Sequence, residues 1–153
     1  RSGTVNVAAA ASLAKALRLS QEKVETVKAK HKEFKTMIIE GFSNYNHIVI
    51  NSPLSEKYID SIINISLPKI KGEAIVNALN ERGIMVSTTS ACSSKTFHLN
   101  EALFARGLSR ENIEGSIRVS FSNETTKQEV ETFIEVFINE YNKKFKEVIE
   151  SGI

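Results

Sequence analysis

An apolar stripe near the end of the chain constrains the fold most strongly. Thr126 and Glu129 form a capping-box pattern, in which a threonine before a helix and a glutamate three positions later bond to each other's backbone N–H groups. The helix that they open carries a large apolar side chain every three or four residues, so one face must be buried against another layer. We interpret these residues as core and not as a ligand-binding surface: Val130, Phe133, Phe137, Tyr141, Phe145 and Val148.

A small β-sheet is the expected partner layer for this helix. Residues 116–121 alternate, placing Ile117 and Val119 on one face and Arg118 on the other, so Arg118 is displayed away from the core. The predicted fold class is α+β, with a small, mainly antiparallel sheet packed by helices and preceded by a helical arm. The other predicted elements are strands at 47–50, 59–67 and 84–87 and helices at 73–82 and 100–106, each helix followed by glycine.

The first 41 residues are expected to form the helical arm. Residues 7–18 are rich in alanine, and either Thr4 or Asn6 is a suitable cap for this helix. We expect Ser20 to start a second helix, which ends at Gly41. His31 lies on the apolar stripe of that helix and is interpreted as a packing residue, not as a ligand.

The composition excludes several classes of function. The chain has 153 residues, and its 20 Lys and Arg against 18 Asp and Glu give a net charge of +2, so neither a nucleic-acid nor a membrane partner is expected. No apolar segment approaches the roughly 20 residues of a membrane-spanning helix. One cysteine cannot form an internal disulfide, which favours a cytoplasmic location. The three histidines are far apart in sequence, so no metal site is predicted.

The length and the first residues lead to two further expectations. A chain of this size is by default one domain with a core of its own. It opens at Arg1, without an initiator methionine and without the basic and apolar regions of a signal peptide. We therefore expect no secretory signal, and we expect the chain to be a piece of a longer protein.

The only cysteine, Cys92, lies among small polar residues in the segment 88–96 (TTSACSSKT). Such neighbours leave a thiol accessible, and the charge of Lys95 favours the nucleophilic thiolate. The residues alone leave three interpretations open. Cys92 is a reactive nucleophile, an incidental surface cysteine, or one half of a cysteine–histidine hydrolase pair with His98.

Three segments together resemble the C-terminal part of a cysteine desulfurase. The segment around Cys92 is the most specific, because it resembles the desulfurases with a long mobile cysteine loop and not those with a short ordered one. That family belongs to the class V aminotransferases, which are pyridoxal phosphate enzymes of fold type I. The resemblance covers essentially the whole chain and is carried by residues 1–6 (RSGTVN), 83–94 (GIMVSTTSACSS) and 115–121 (GSIRVSF).

The resemblance implies a sulfur-transfer reaction at Cys92. In the family, pyridoxal phosphate binds the amino group of L-cysteine and accepts electrons, and an enzyme cysteine attacks the substrate sulfur. By this resemblance Cys92 is the catalytic residue, Arg118 binds the substrate carboxylate, and Thr4 contacts the cofactor phosphate of the neighbouring subunit in a homodimer. The products are L-alanine and a persulfide, which passes to a sulfur-acceptor or scaffold protein for iron–sulfur cluster assembly or tRNA thiolation.

The family's large N-terminal domain is outside this sequence. That domain holds the Schiff-base lysine, the histidine on the cofactor ring and the aspartate at the pyridine nitrogen, and neither Lys71 nor Lys95 lies in the family's cofactor motif. The resemblance therefore implies that residues 1–41 join the missing domain to a small C-terminal domain, residues 42–153, with the cysteine loop at 88–96. It also implies that this chain alone binds no pyridoxal phosphate and is inactive.

Two other functions are compatible with the same residues. The chain could be a stand-alone thiol or persulfide carrier, or a protein-interaction module, that uses Cys92 without a cofactor. It could also derive from another class V aminotransferase, although an ordinary transaminase has no use for an exposed Ser-Ala-Cys-Ser-Ser segment. A parent reading frame with some 200 or more residues upstream, including a lysine after a histidine, would favour the desulfurase.

Overall fold

The computed structural model describes residues 3–88 and 101–150. It has an α+β fold, as the sequence predicts, in which helices pack on a small sheet. The helices are α1 (Val7–Gly41), α2 (Gly72–Asn80), α3 (Glu101–Ala105), α4 (Arg110–Glu114) and α5 (Lys127–Glu150). The strands are β1 (Val49–Ile50), β2 (Ile62–Ser66), β3 (Ser87–Thr88) and β4 (Ser116–Ser120).

The sheet has the order β1-β2-β4-β3, and all three strand pairs are antiparallel. Strands β2 and β4 pair along their full lengths and form its centre. Their alternating apolar side chains point to one face, which α1, α2 and α5 cover. The buried core includes Phe34, Ile38, Phe42, Ile63, Ile65, Ile75, Leu79, Ile117, Val119, Val130, Phe133 and Phe137.

The predicted apolar stripe of α5 is confirmed as core. Phe137 is completely buried, and its ring centroid lies 4.6 Å from that of Phe42, the residue directly after α1, and 5.5 Å from that of Phe133 one turn earlier. Tyr141 is also buried, whereas Phe145, one turn further along, is only partly buried. The stripe therefore packs α5 against the core face of the sheet and the end of α1.

Helix α1 is continuous, so the break expected at Ser20 is wrong. An ion pair between Arg18 and Glu22 spans this position, with Nε and Oε1 3.6 Å apart. Serine costs only a few tenths of a kcal/mol more than the best helix formers in a helix interior. Because helix extension is cooperative, a single serine between good helix formers does not interrupt it.

The two halves of α1 differ in burial, although they present the same apolar face. Phe34 and Ile38 are 2% and 0% exposed, whereas Leu13 and Leu17 are 69% and 61% exposed. At 3.6 residues per turn these four side chains fall within roughly one third of the helix circumference. His31, 6% exposed on that face, packs against Phe121, as expected of a packing residue.

The chain between α2 and β3 differs from the predicted strand at 84–87, since only residues 87–88 pair with β4. A Schellman turn ends α2: Gly83 N donates to Asn80 O, Ile84 N donates to Leu79 O at 2.9 Å, and Gly83 has a φ of 78°. Glycine reaches that conformation without strain. The N–H of Ile84 is thus used by the helix end, and the strand begins later.

Other predicted boundaries need smaller corrections. The strands predicted at 47–50 and 59–67 are the shorter β1 and β2, and the helix predicted at 100–106 is α3 within the described residues. Helix α4 was not expected from the sequence. It has five residues and is capped by Ser109, whose Oγ accepts from Asn112 N at 3.2 Å.

The capping box of α5 gives a first prediction: Thr126→Ala should lower the free energy of unfolding by about 1 kcal/mol. Thr126 N donates to Glu129 Oε2 at 2.6 Å, and Glu129 N donates to Thr126 Oγ1 at 3.2 Å. The bond from the Thr126 backbone, and then that from its hydroxyl, lower the pKa of Glu129 below its ordinary value. This stabilisation is therefore present above the carboxyl group's unfolded pKa and is lost as the pH falls through its folded pKa.

Urea denaturation at neutral pH and at about pH 3 measures both effects. Thr132→Ala is the matched control, because Thr132 is an exposed threonine inside the same helix and should lose no stability. Equal stability of the two variants at neutral pH would contradict the capping role.

Candidate functional site

The second face of the sheet is polar. Side chains on alternate positions of β2 and β4 point away from the core, and Asn64 lies directly opposite Arg118, while Ser66 lies opposite Ser116. On the core face the same strands carry isoleucine and valine. A strand pair with one apolar and one polar face is the arrangement that the alternation in β4 predicted.

Arg118 lies on this polar face with its side chain exposed, as expected from the sequence. Its backbone is held on both sides, because its Cα pairs with that of Asn64 in β2 and with that of Ser87 in β3. Within residues 3–88 and 101–150, no carboxylate forms an ion pair with Arg118. A planar guanidinium on a central strand is suited to binding a carboxylate through two parallel hydrogen bonds.

A cluster of amide and hydroxyl groups, most of them buried, lies next to Arg118. Asn51 Nδ2 donates to Asn64 Oδ1 and to Ser66 Oγ, both at 2.6 Å. Asn64 Nδ2 donates to Ser116 Oγ at 2.9 Å and to Ile117 O at 3.1 Å. The hydrogens of both side-chain amides are thus used, as expected for polar groups that are largely shielded from water.

This polar cluster is joined to α4 and to the chain after β1. Ser66 Oγ donates to Asn112 O at 2.7 Å, and Asn64 N donates to Ser52 Oγ at 2.8 Å. Ser66 and Ser116 are 0% and 1% exposed. The cluster therefore fixes how β2, β4 and α4 lie relative to one another.

Two cations fix the connection between β1 and β2 around Tyr58. Arg106, which follows α3, donates to Asn51 O at 3.1 Å and to the hydroxyl of Tyr58, and its Cζ lies 4.8 Å from the centre of the Tyr58 ring. Lys35 of α1 is fully buried, and its Nζ donates to Ile59 O at 3.0 Å. Burial lowers the pKa of Lys35, and the carboxylate of Asp60 acts in the opposite direction.

Thr4 lies before α1, far from Arg118. It is exposed, and Asn6, not Thr4, caps the helix, because Asn6 Oδ1 accepts from Ala9 N at 2.9 Å. About 36 Å of helix separate Val7 from His31, where the buried part of α1 begins. The structure therefore does not bring Thr4 and Arg118 of one chain together.

Cys92, Lys95 and His98 lie outside the described residues. The structure does show where the segment that contains them leaves the sheet. Thr88 is paired with Ile117, and Ser87 with Arg118. The chain thus enters the cysteine segment beside the arginine.

A groove of about 550 Å³ lies elsewhere, between residues 82–86 and the first turns of α5. Its lining includes core residues such as Val119 and Phe133 but neither Thr4 nor Arg118. It is separate from the polar face described above.

Within 3–88 and 101–150, no three metal-ligating side chains lie close enough together to hold an ion. Over the same part of the chain, no helix is long and apolar enough to cross a membrane.

This chain matches one protein family over most of its length. The aminotransferase class-V family profile matches residues 1–133. A cysteine desulfurase IscS of Enterobacter sp. (strain 638) is 30% identical over 139 residues, which are 91% of this chain and 34% of the relative. A NifS/IcsS protein homolog of Lactobacillus delbrueckii subsp. bulgaricus is 32% identical over 152 residues, 99% of this chain and 39% of the relative.

Comparison of the fold with solved structures points to the same family. A solved structure of a NifS-like protein superimposes with a TM-score of 0.77 at 28% sequence identity, and the match covers 95% of this chain and 36% of that one. The chain therefore spans between a third and two fifths of the length of the relatives it matches.

Proposed function

We propose, from the premise that this chain belongs to the aminotransferase class-V family, that it is the C-terminal region of a cysteine desulfurase. Such an enzyme converts L-cysteine to L-alanine and keeps the sulfur as a persulfide on one of its own cysteines. One observation carries the proposal: an exposed arginine without a described carboxylate partner lies where the chain enters its cysteine segment.

The short stretch of chain from Thr88 to Cys92 supports the proposal that Arg118 binds the substrate while Cys92 accepts its sulfur. Cys92 follows Thr88 by four residues, which span at most about 14 Å when fully extended. Thr88 lies next to Ser87, the strand partner of Arg118. This length allows the Cys92 thiol to reach a substrate whose carboxylate is bound by Arg118.

The residues present fit the substrate side of a pyridoxal phosphate site. Arg118 offers a cation that has no carboxylate partner among the described residues, whereas the lysine that would hold the cofactor is proposed to lie in the rest of the protein. When bound in the full-length enzyme, pyridoxal phosphate supplies an electron sink that weakens the carbon–sulfur bond of L-cysteine. This chain alone is proposed to bind no cofactor covalently and to be inactive.

The proposed sulfur transfer to Cys92 needs no reagent other than L-cysteine and a proton. The thiolate attacks the sulfur of L-cysteine, so that a sulfur–sulfur bond forms and the carbon–sulfur bond breaks. The electron pair stays on the carbon, which takes a proton to give L-alanine. Cys92 keeps the sulfur as a persulfide, and Arg118 holds the carboxylate throughout.

The exposed face of α1 supports a division into two parts. We propose that residues 1–41 are an arm that joins residues 42–153, a small domain with the cysteine loop at 88–96, to a large domain outside this sequence. Leu13 and Leu17 are 69% and 61% exposed on the face that is buried further along the helix, and the relatives are much longer than this chain. An apolar stripe of this kind is buried when its covering layer is present.

The position of Thr4 supports a homodimer. It lies beyond about 36 Å of helix from the residues that pack near the sheet, and this distance is compatible with a contact to another subunit. We propose that Thr4 binds the cofactor phosphate of the neighbouring subunit. The sulfur is proposed to pass to an acceptor or scaffold protein in the cytoplasm, for iron–sulfur cluster assembly or tRNA thiolation.

Substitution of Arg118 tests the proposed function. In the full-length protein, Arg118→Ala should raise the KM for L-cysteine roughly 10- to 150-fold, which corresponds to the loss of about 1.5–3 kcal/mol from one charge-assisted contact. Arg118→Lys should restore little, because one ammonium group cannot replace a two-pronged contact. Steady-state measurement of alanine formation against L-cysteine concentration gives both values.

Arg82→Ala is the matched control. Arg82 is an exposed arginine of the same domain whose Nη2 lies 3.2 Å from Glu140 Oε1 of α5, the helix that covers the opposite face of the sheet, and its loss should leave KM unchanged. An unchanged KM in Arg118→Ala would remove the substrate-binding role of Arg118. A full-length protein that makes no alanine from L-cysteine would overturn the proposed function itself.

A further inference from the structure

Asn64 is an unusual residue for the middle of a central strand. Asparagine is depleted in strands, because its short amide competes for backbone hydrogen bonds and packs poorly on a pleated surface. Here it lies in β2 between Ile63 and Ile65, which are both completely buried. Residues that break a local preference in this way are found most often where function needs them.

The side-chain hydrogen bonds of Asn64 join it to the residues next to Arg118. Its Nδ2 group donates to Ser116 Oγ at 2.9 Å and to Ile117 O at 3.1 Å. These are the two residues that precede Arg118 in β4, and Arg118 is the strand partner of Asn64. The amide therefore fixes the backbone from which the Arg118 side chain leaves the sheet.

Asn64 is itself held from the other side. Its Oδ1 accepts from Asn51 Nδ2 at 2.6 Å, and its backbone N–H donates to Ser52 Oγ at 2.8 Å. Asn51 N in turn donates to Asn64 O at 2.9 Å. A group whose hydrogen-bonding positions are all used has one preferred orientation, and a bidentate contact with a carboxylate depends on such a fixed geometry.

We propose that Asn64 is a positioning residue for Arg118, and that its amide sets the place and direction in which the guanidinium meets the carboxylate of an amino-acid substrate. This inference rests on the proposed function, in which Arg118 binds that carboxylate. Asn64 does not touch the substrate and acts through Arg118 alone. Its loss should weaken carboxylate binding and leave the sulfur chemistry at Cys92 unaffected.

The test uses the full-length protein and measures the dissociation constant of L-alanine by calorimetry, because L-alanine has the carboxylate but no thiol to react. Asn64→Ala should raise this constant about tenfold and should raise the KM for L-cysteine by a similar factor, with kcat changed less than about twofold. In an Arg118→Ala background the same substitution should have no further effect on either constant. That loss of effect distinguishes action through Arg118 from a general loss of structure.

Ser66→Ala is the matched control, since the Ser66 hydroxyl belongs to the same polar cluster but bonds to Asn51 and Asn112 and not to the residues before Arg118. It should lower the melting temperature without raising the dissociation constant. If Asn64→Ala does not fold, Ser116→Ala removes one partner of the amide and should raise the constant severalfold.

The outcomes separate the two proposals. A tenfold effect that disappears in the Arg118→Ala background supports the positioning role. An unchanged dissociation constant in a folded Asn64 or Ser116 variant, or an effect of equal size in both backgrounds, overturns it. If Arg118→Ala itself leaves L-alanine binding unchanged, the substrate-binding role proposed for Arg118 fails as well.

Discussion

Cys92→Ser in the full-length protein is expected to lower the formation of L-alanine and persulfide from L-cysteine by roughly three orders of magnitude or more. The serine hydroxyl stays protonated near neutral pH and is a poor nucleophile toward sulfur, whereas a thiol supplies a thiolate. L-Cysteine should still bind, because Arg118 and the rest of the site are unchanged. Alanine production and mass spectrometry of the enzyme persulfide measure the loss.

Ser93→Ala is the control for this substitution, since it changes the neighbouring residue by one oxygen and should leave turnover close to that of the parent. A serine variant that turns over L-cysteine at the parent rate would leave the proposed mechanism without its nucleophile. A parent protein that accepts a persulfide at Cys92 but makes no alanine would favour the stand-alone carrier instead.

The second large effect is expected at Gly115, which ends α4 and leads directly into β4. A Cβ atom at this position would overlap the carbonyl oxygen of Leu67 and would lie 2.8 Å from the Leu67 carbonyl carbon and 2.9 Å from Ile70 O. These are backbone atoms and cannot rotate away, and Leu67 N also donates to Gly115 O at 3.1 Å. Gly115→Ala should therefore destabilise the fold by about 3 kcal/mol or more.

Gly41→Ala is the comparison for this variant. A Cβ atom at Gly41 would lie 2.8 Å from Cγ2 of Ile134, which is a side-chain methyl group and not a backbone atom. The Gly41→Ala substitution should lower the free energy of unfolding much less than Gly115→Ala does. Urea denaturation of both variants measures the difference. Equal stability of the two would show that the chain between β2 and α2 shifts freely, in contradiction to the packing at Gly115.

Periodicity was sufficient to predict the main packing of this protein but not its finer turns. The stripe from Val130 to Tyr141 and the alternation around Arg118 each repeat one pattern several times, so they survive single exceptions. The break expected at Ser20 rested on one residue, and cooperative helix extension overrode it. The late start of β3 depends on a hydrogen bond between Ile84 and Leu79, which no repeating pattern reveals.

The candidate site, like the fold, was only partly predictable from the sequence. The side of the sheet on which Arg118 lies follows from its place in an alternating strand. The polar cluster was missed, because Asn51, Ser66 and Ser116 are far apart in sequence and meet only when β2 pairs with β4. The asparagine within an isoleucine-rich strand, Asn64, was the one local signal that could have revealed it.

The continuity of α1 has a mechanical consequence. A helix without a break is a stiff rod, and this one is clamped at one end by buried contacts of Phe34, Lys35 and Ile38 with the sheet, α5 and the chain before β2. A flexible joint at Ser20 would have absorbed any movement of the free end. Without it, a tilt of a few degrees moves the Val7 end by about 2–3 Å relative to Arg118. A movement of the Val7 end is therefore transmitted along the helix to the residues that pack against the sheet. Contacts at the Val7 end can in this way change the orientation of the polar face.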